Sequence, residues 1–336
     1  MSTPPVHLLV AHLGALGDAV LAVPAVRALV RRVRPRGVVF GGAGARAALV
    51  ARGVPGVAVG VDLTSPEAAP LFAGGAPAGE VGRALAGCDE AVLLVRRGEG
   101  LAAGLRAAGV ARAHVVEPPA RGERGGAHAC DRMLDGVAAL ALSGGGPGRV
   151  PARARAARAP RLRVPPADRE AARRTLEGLG LGRTPILAIH PGSGGPAKRW
   201  PFEGFLALAR AAEGALGLVP LVLLGPVETD GEDAEARVRA AGLPALVAPP
   251  LPRLAAVLRA GAAYVGNDAG PTHLAAAVGA PTLALFGPSD AGVWAPRGRR
   301  VRVIAADGAD GLRSLEVEKV LRELQGMARR PDSLSA

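Results

Sequence analysis

Short aliphatic runs alternate with longer stretches of helical period along nearly all of this 336-residue chain. Such runs suit strands buried on both faces of a parallel sheet, because the intervening helices cover both sides. The pattern starts at once, with an apolar strand at His7–His12, a loop Leu13-Gly14-Ala15-Leu16-Gly17, and a helix from about Asp18 to Arg32. Further runs at Val38–Phe40, Val57–Val61, Ala91–Val95 and His114–Val116 alternate with helical stretches, the last from about Ala127 to Leu142. Residues 143–165, SGGGPGRVPARARAARAPRLRVP, have no periodicity and read as an interdomain linker. Beyond it the alternation resumes, with strands at Ile186–His190, Pro220–Leu224, near Ala245, Ala262–Gly266 and Thr282–Phe286. Helices are expected at about Asp168–Leu179, from Phe202, near Asp233–Ala241, from Leu251, at Pro271–Val278, and over about 311–325.

The length exceeds what one hydrophobic core usually holds, so two doubly wound α/β domains are expected, over residues 1–160 and 161–336. Ligands of such sheets sit at the carboxyl ends of the strands. Only two cysteines, Cys88 and Cys130, are present, too few for a disulfide framework and without metal-ligand spacing. No apolar run is long enough to span a membrane, and a cytoplasmic protein with no transmembrane segment is expected. The formal charge is +12, and it is uneven: residues 1–165 hold 21 arginines against 11 acidic residues. That surplus suits an acidic partner, whereas aromatics, at 2%, supply almost no stacking platforms for nucleic acid, so no nucleic-acid partner is expected.

Three strand-to-helix loops carry residue types suited to chemistry. In Gly266-Asn267-Asp268-Ala269-Gly270-Pro271-Thr272-His273, Gly270 permits a tight turn and Pro271 suits a first helical position. The backbone N–H groups of Thr272 and His273 would then be free for a phosphate, with Asp268 either capping the helix or holding a substrate hydroxyl. An ordinary capped helix with an incidental histidine is the plain alternative. In His190-Pro191-Gly192-Ser193-Gly194-Gly195-Pro196-Ala197-Lys198, the glycines admit an anion, Ser193 offers a hydroxyl, and Lys198 is one of only two lysines in the chain. The spacing is not that of a Walker loop, and a surface loop without a ligand would look the same. In Gly14-Ala15-Leu16-Gly17-Asp18, the carboxylate either caps the first helix or serves as a general base.

Together the segments LGALGDAVLAVPAVRAL, HPGSGGPAKRWPFEGFLALA and VGNDAGPTHLAAAVGAPTLALFGPSD resemble the ADP-heptose:lipopolysaccharide heptosyltransferases, glycosyltransferase family 9. The resemblance runs over about residues 8–325. It implies the GT-B architecture, two Rossmann-like domains facing an interdomain cleft, with acceptor on the N-terminal domain and ADP-sugar on the C-terminal one. It implies that Asp18 is the catalytic base, with Gly14 and Gly17 in the acceptor-side loop. Ser193 and Lys198 match diphosphate contacts. Asp268, Ala269, Gly270, Thr272 and His273 match the donor loop, and Glu228 resembles a carboxylate on the donor's ribose hydroxyls. Ala269 departs from the family, which usually has Ser or Thr there. The implied reaction is an inverting, metal-free transfer of heptose from ADP-heptose to a lipopolysaccharide core acceptor, with no cofactor beyond the ADP-sugar co-substrate. The implied partner is an acidic glycolipid at the inner membrane surface, reached by peripheral contact. Three alternatives stay open: a transferase using another nucleotide sugar, a nucleotide-sugar epimerase, and a catalytically silent donor-binding protein.

Overall fold

The computed structural model describes residues 7–33, 37–142, 158–182, 184–225, 233–306 and 310–328. The chain divides into two compact units, Met1–Arg163 and Val164–Ala336.

In the first unit five parallel strands, β1 (His7–His12), β2 (Gly37–Gly42), β3 (Val57–Asp62), β4 (Cys88–Leu93) and β5 (Arg112–Val115), lie in the order β3-β2-β1-β4-β5. Leu8 to Ala11 of the central strand are fully buried, as a strand sandwiched between helix layers must be. One face packs Leu9, Ala11, Val39, Val61 and Leu93 against Leu101 and Leu105 of the helix Glu99–Ala107. The first helix begins at Leu16, two residues before the expected start, so Asp18 is its third residue. Near that helix's other end the Arg32 guanidinium donates to the carbonyls of Val137, at 2.8 Å, and Leu140. It thereby satisfies carbonyls at the end of the helix Ala129–Ala139 that have no partner within their own helix.

Of the expected linker, residues 143–157 lie outside the described residues, and the rest is packed chain rather than a free tether. Leu162 is buried against Gly53, where an added Cβ would meet its Cδ2 at 2.7 Å. Arg163 N–H donates to the Gly53 carbonyl at 2.8 Å, and Arg158 pairs with Asp131 at 2.7 Å.

The second unit repeats the plan with β6 (Ile186–His190), β7 (Val219–Leu224), β8 (Ala245–Val247), β9 (Ala263–Asn267), β10 (Thr282–Phe286) and β11 (Val301–Ala305), in the order β11-β10-β9-β6-β7-β8. Its core gathers Leu187, Ile189, Val265, Leu283 and Leu285 with Trp200, Phe205 and Leu208. Strand β11 was not expected from the sequence. The expected helix over 311–325 is a 3-10 turn at Gly311–Ser314 followed by a helix at Val317–Gln325. The extended backbone of Leu315 and Glu316 breaks the helical path between them.

In both sheets the strand order reverses beside the unit's first strand, between β1 and β4 and between β6 and β9. The carboxyl ends of strands at such a reversal are where open α/β sheets take their ligands. All three chemistry-bearing loops of the sequence follow β1, β6 or β9.

Candidate functional site

The carboxyl edge of the second sheet brings together residues far apart in sequence. Strand β9 ends in buried Asn267, whose amide donates to the Pro191 carbonyl at 2.7 Å and accepts the Trp200 N–H at 3.0 Å. This clamp fixes the loop after β6 against the loop after β9. The Trp200 indole donates to the Leu315 carbonyl at 2.9 Å and stands edge-on to Phe205, centroids 4.8 Å apart. A Cβ on Gly204 would lie 2.7 Å from the indole, so only glycine fits under the ring.

On this frame Asp268 is the hub. Its Oδ2 accepts from Lys198 Nζ at 2.7 Å and from Ser289 Oγ at 2.6 Å, while its backbone carbonyl accepts from Ser193 Oγ at 2.8 Å. His273 Nε2 stands 3.8 Å from Oδ1, too long for a hydrogen bond and close enough for its charge state to matter. Burial opposes ionisation of Asp268, but His273, Lys198 and Ser289 together outweigh it and hold the carboxyl well below the usual carboxylate range. Lys198 uses one of three N–H donors on Asp268 and stays partly open to solvent, its side chain 41% exposed. The buried His273 Nδ1 has no hydrogen-bond partner among the described residues.

The helix Gly270–Val278 departs from the sequence expectation in three ways. The N–H groups of Thr272 and His273 are not free, since both donate to the Ala269 carbonyl, at 3.1 and 3.4 Å. The open donors at this helix start are the N–H groups of Ala269 and Gly270, which bond nothing among the described residues. The Thr272 hydroxyl is turned inward, donating to the Asn267 carbonyl at 2.5 Å and pairing with Tyr264 Oη at 2.9 Å. Asp268 does not cap the helix, because Ala269 holds the cap position in extended backbone and supplies no side-chain bond. Gly270 is the first helical residue and makes no left-handed turn. Glu228 lies outside the described residues.

In the first unit, Asp18 Oδ2 accepts the Ala15 N–H at 3.2 Å, so the capping role is taken by one carboxylate oxygen. Oδ1 bonds nothing among the described residues, which leaves it open for a proton. Gly17 is buried at the second helical position. Gly14 N–H donates to His12 Nδ1 at 3.3 Å. A Cβ on Gly14 would meet His12 Cε1 at 2.6 Å and Asp18 Oδ2 at 3.0 Å, so glycine is what lets imidazole and carboxylate flank the same turn. Burial pushes the His12 pKa down to about 4, against the pull of Asp18, which keeps the ring neutral beside that carboxylate. Among the described residues no group of three or more His, Cys, Asp or Glu is gathered as metal ligands would be.

Ser289, Asn267, Trp200 and His12 were not singled out as site residues from the sequence. Ser289 stands in FGPSD, at the end of the third segment that carries the family resemblance.

The family model described as Glycosyltransferase family 9 (heptosyltransferase) matches residues 154–322, half of the chain and nearly all of the Asp268 unit. The chain belongs to glycosyltransferase family 9. A curated relative of this family 9 chain, lipopolysaccharide heptosyltransferase 3 of Escherichia coli, is 29% identical over 139 residues, 40% of either chain. The match thus spans well under half the length of that relative. Among solved structures, a family 9 glycosyl transferase from Veillonella parvula superposes with a TM-score of 0.73 at 21% identity, covering 97% of this chain and 98% of its own. The E. coli ADP-heptose heptosyltransferase II gives 0.72 at 20% identity, covering 96% and 98%. These likenesses establish the fold, GT-B with two parallel-sheet α/β domains, as the sequence resemblance implied.

Proposed function

We propose that this family 9 protein is an inverting glycosyltransferase that moves a heptose from ADP-heptose to a lipopolysaccharide core acceptor. The observation that carries the reading is the Asp268 hub, an ionised carboxylate with a half-exposed ammonium and a buried imidazole at the switch point of the second sheet. The second unit takes the donor. Lys198 and the open N–H groups of Ala269 and Gly270 meet the diphosphate, with Ser193, His273 and the rest of the Asp268 loop around it and Glu228 on the ribose. The Ser193 hydroxyl and Thr272 act chiefly by shaping that loop, since both are engaged within the protein. The first unit takes the acceptor, an acidic glycolipid at the inner membrane face.

In the transfer step the acceptor oxygen bonds to the anomeric carbon of the donor as the bond from that carbon to the diphosphate oxygen breaks. ADP leaves with the bonding electron pair, and the acceptor hydroxyl proton passes to Asp18 Oδ1. General-base help of this kind is worth about 10² to 10⁴-fold. Preorganised donors at the diphosphate act where charge develops on the leaving group.

The test is a mass-spectrometric survey of the purified protein against nucleotide sugars, with truncated lipopolysaccharide cores as acceptors. Asp18→Asn should keep its affinity for the ADP-sugar and lose turnover by about 10² to 10⁴-fold. Near-wild-type turnover in a folded Asp18→Asn protein would remove Asp18 from the chemistry. Transfer from a different nucleotide sugar would correct the donor, product without acceptor would indicate an epimerase, and ADP affinity without turnover would leave a donor-binding protein.

A further inference from the structure

Near the Asp18 loop stands a guanidinium that the mechanism does not use. His12, Gly42 and Asp62 lie side by side at the carboxyl edge of the first sheet, in register across β1, β2 and β3. The helix Ala45–Gly53 rises from this row, and Arg46 is in its first turn. Asp62 fastens the turn before it, its Oδ1 accepting from Gly44 N–H at 2.9 Å and from Thr64 N–H and Oγ1 at 2.8 and 2.6 Å. A Cβ on Gly42 would meet the Ala47 backbone at 3.1 Å, so the helix start sits tight on the strand end. Arg46 is therefore held in place by its neighbours' bonds rather than by its own.

Among the described residues the Arg46 side chain makes no hydrogen bond and no ion pair, and its Nε is buried without a partner. An arginine cannot shed its charge to relieve this, so the buried donor needs an acceptor. Arg46 is close enough for its charge to lower the proton affinity of both His12 and Asp62. His12 is neutral and Asp62 is bonded to its own turn, and neither bonds the guanidinium.

We propose that Arg46 is the anion-binding residue of a subsite beside Asp18, where its guanidinium takes a carboxylate or phosphate oxyanion of the acceptor. The proposal rests on the reading that the first unit binds the acceptor. It gives the arginine two tasks: to supply affinity for an acidic sugar, and to orient the hydroxyl that Asp18 deprotonates. A planar fork matches either oxyanion through two parallel bonds, which a lysine cannot reproduce.

The test has a binding arm and a kinetic arm. Inorganic phosphate, glucuronate and, as a neutral control, glucose are titrated into ¹⁵N-labelled full-length protein. Phosphate or glucuronate should shift the amides of Gly14, Gly44, Ala45 and Arg46 saturably, and glucose should not. The stronger of the two anions tells which oxyanion the subsite prefers. Arg46→Gln should weaken that binding about 10- to 100-fold, as loss of a charged hydrogen-bonded contact implies, and Arg46→Lys should restore part of it. In transfer assays Arg46→Gln should raise the acceptor KM by a similar factor while the donor KM changes by less than about twofold. Shifts that persist in Arg46→Gln, or that map only to other surfaces, overturn the proposal. So does transfer with an unchanged acceptor KM, and in that case the transferase reading survives. Arg46-dependent anion shifts in a protein that transfers nothing would uphold the subsite and sink the transferase reading. Should Arg46→Gln not fold, the same comparisons are made with Arg46→Lys.

Discussion

His12 shows how much chemistry a buried side chain can hold without contacting a ligand. Its folded pKa of about 4 lies below the ordinary histidine value of 6.5, first because burial disfavours the charged ring. The stability tied to the neutral ring is therefore complete above pH 6.5 and lost as the pH falls through about 4. At about 1.4 kcal/mol per pKa unit, the loss tied to this shift is at most roughly 3 to 4 kcal/mol. In His12→Asn, whose amide oxygen can still accept the Gly14 N–H, urea midpoints should fall less between pH 6.5 and 4 than in the wild type. Parallel pH profiles for the two proteins would show that His12 does not titrate with unfolding. None of this was legible in the sequence, where His12 is simply the last residue of a strand. Asp18, Ser193, Lys198 and Asp268 stood out as candidates because each stands in or beside a glycine-bearing loop at a strand end. Their partners did not: nothing in the spacing tells that Lys198 rests on Asp268, or that the Thr272 hydroxyl turns inward.

At the scale of elements, the alternating runs marked most strands because strands covered on both faces must be apolar throughout. Strand β11 escaped notice because it is an edge strand interrupted by a charged residue, Arg302, with only Ile304 well buried. The C-terminal helix was drawn too long because Leu315 and Glu316 adopt extended backbone between the 3-10 turn and the helix, a break that the apolar pattern does not mark. Beyond the ladder that pairs β6 with β9 up to His190 and Gly266, one side chain ties the loop after β6 to the end of β9. Replacing Asn267 with Leu keeps the bulk but leaves the Pro191 carbonyl and the Trp200 N–H buried without partners. Each such group costs about 1–3 kcal/mol, so a loss of roughly 2 to 6 kcal/mol is expected for the pair. Denaturant unfolding of Asn267→Leu measures it. The loop after β6 should loosen with it, and proteolysis near Gly194 and Gly195 should quicken. A destabilisation below about 0.5 kcal/mol, the range of an ordinary surface change, would mean that the two loops hold together without this clamp.

For the whole molecule, a second doubly wound parallel sheet was foreseeable from the restart of the pattern after residue 165, and the charge difference between the two halves could be read by counting. The first 165 residues carry a net charge of +10 and the remainder +2. The structure shows how part of the surplus is used. Arg32 closes a helix end, Arg158 pairs with Asp131 and Asp135, and Arg132 pairs with Glu123 at 2.6 Å. Arg27 and Arg31 have no acidic partner among the described residues, and Arg27 feels the charge of Arg31 and Arg161 beside it. Arg34 lies outside the described residues. At 1.5 Å per helical residue, Arg27 and Arg31 stand roughly 14 and 20 Å along the helix axis from Asp18, too far to touch an acceptor hydroxyl held there. On the proposed function their reach would be through the field, which would steer an acidic acceptor toward the unit and is screened over about 8 Å at physiological ionic strength. If the proposed function holds, raising the salt should therefore raise the acceptor KM far more than the donor KM, since the proposed donor site lies in the nearly neutral second half. Initial rates from low to moderate salt, each substrate varied in turn, measure both. In Arg27→Gln/Arg31→Gln the acceptor's salt dependence should flatten while kcat at saturating acceptor holds, because steering acts on encounter and not on the bound state. Equal salt sensitivity for the two substrates would assign the surplus to composition and leave Arg46 as the acceptor's one proposed charged contact in the first unit.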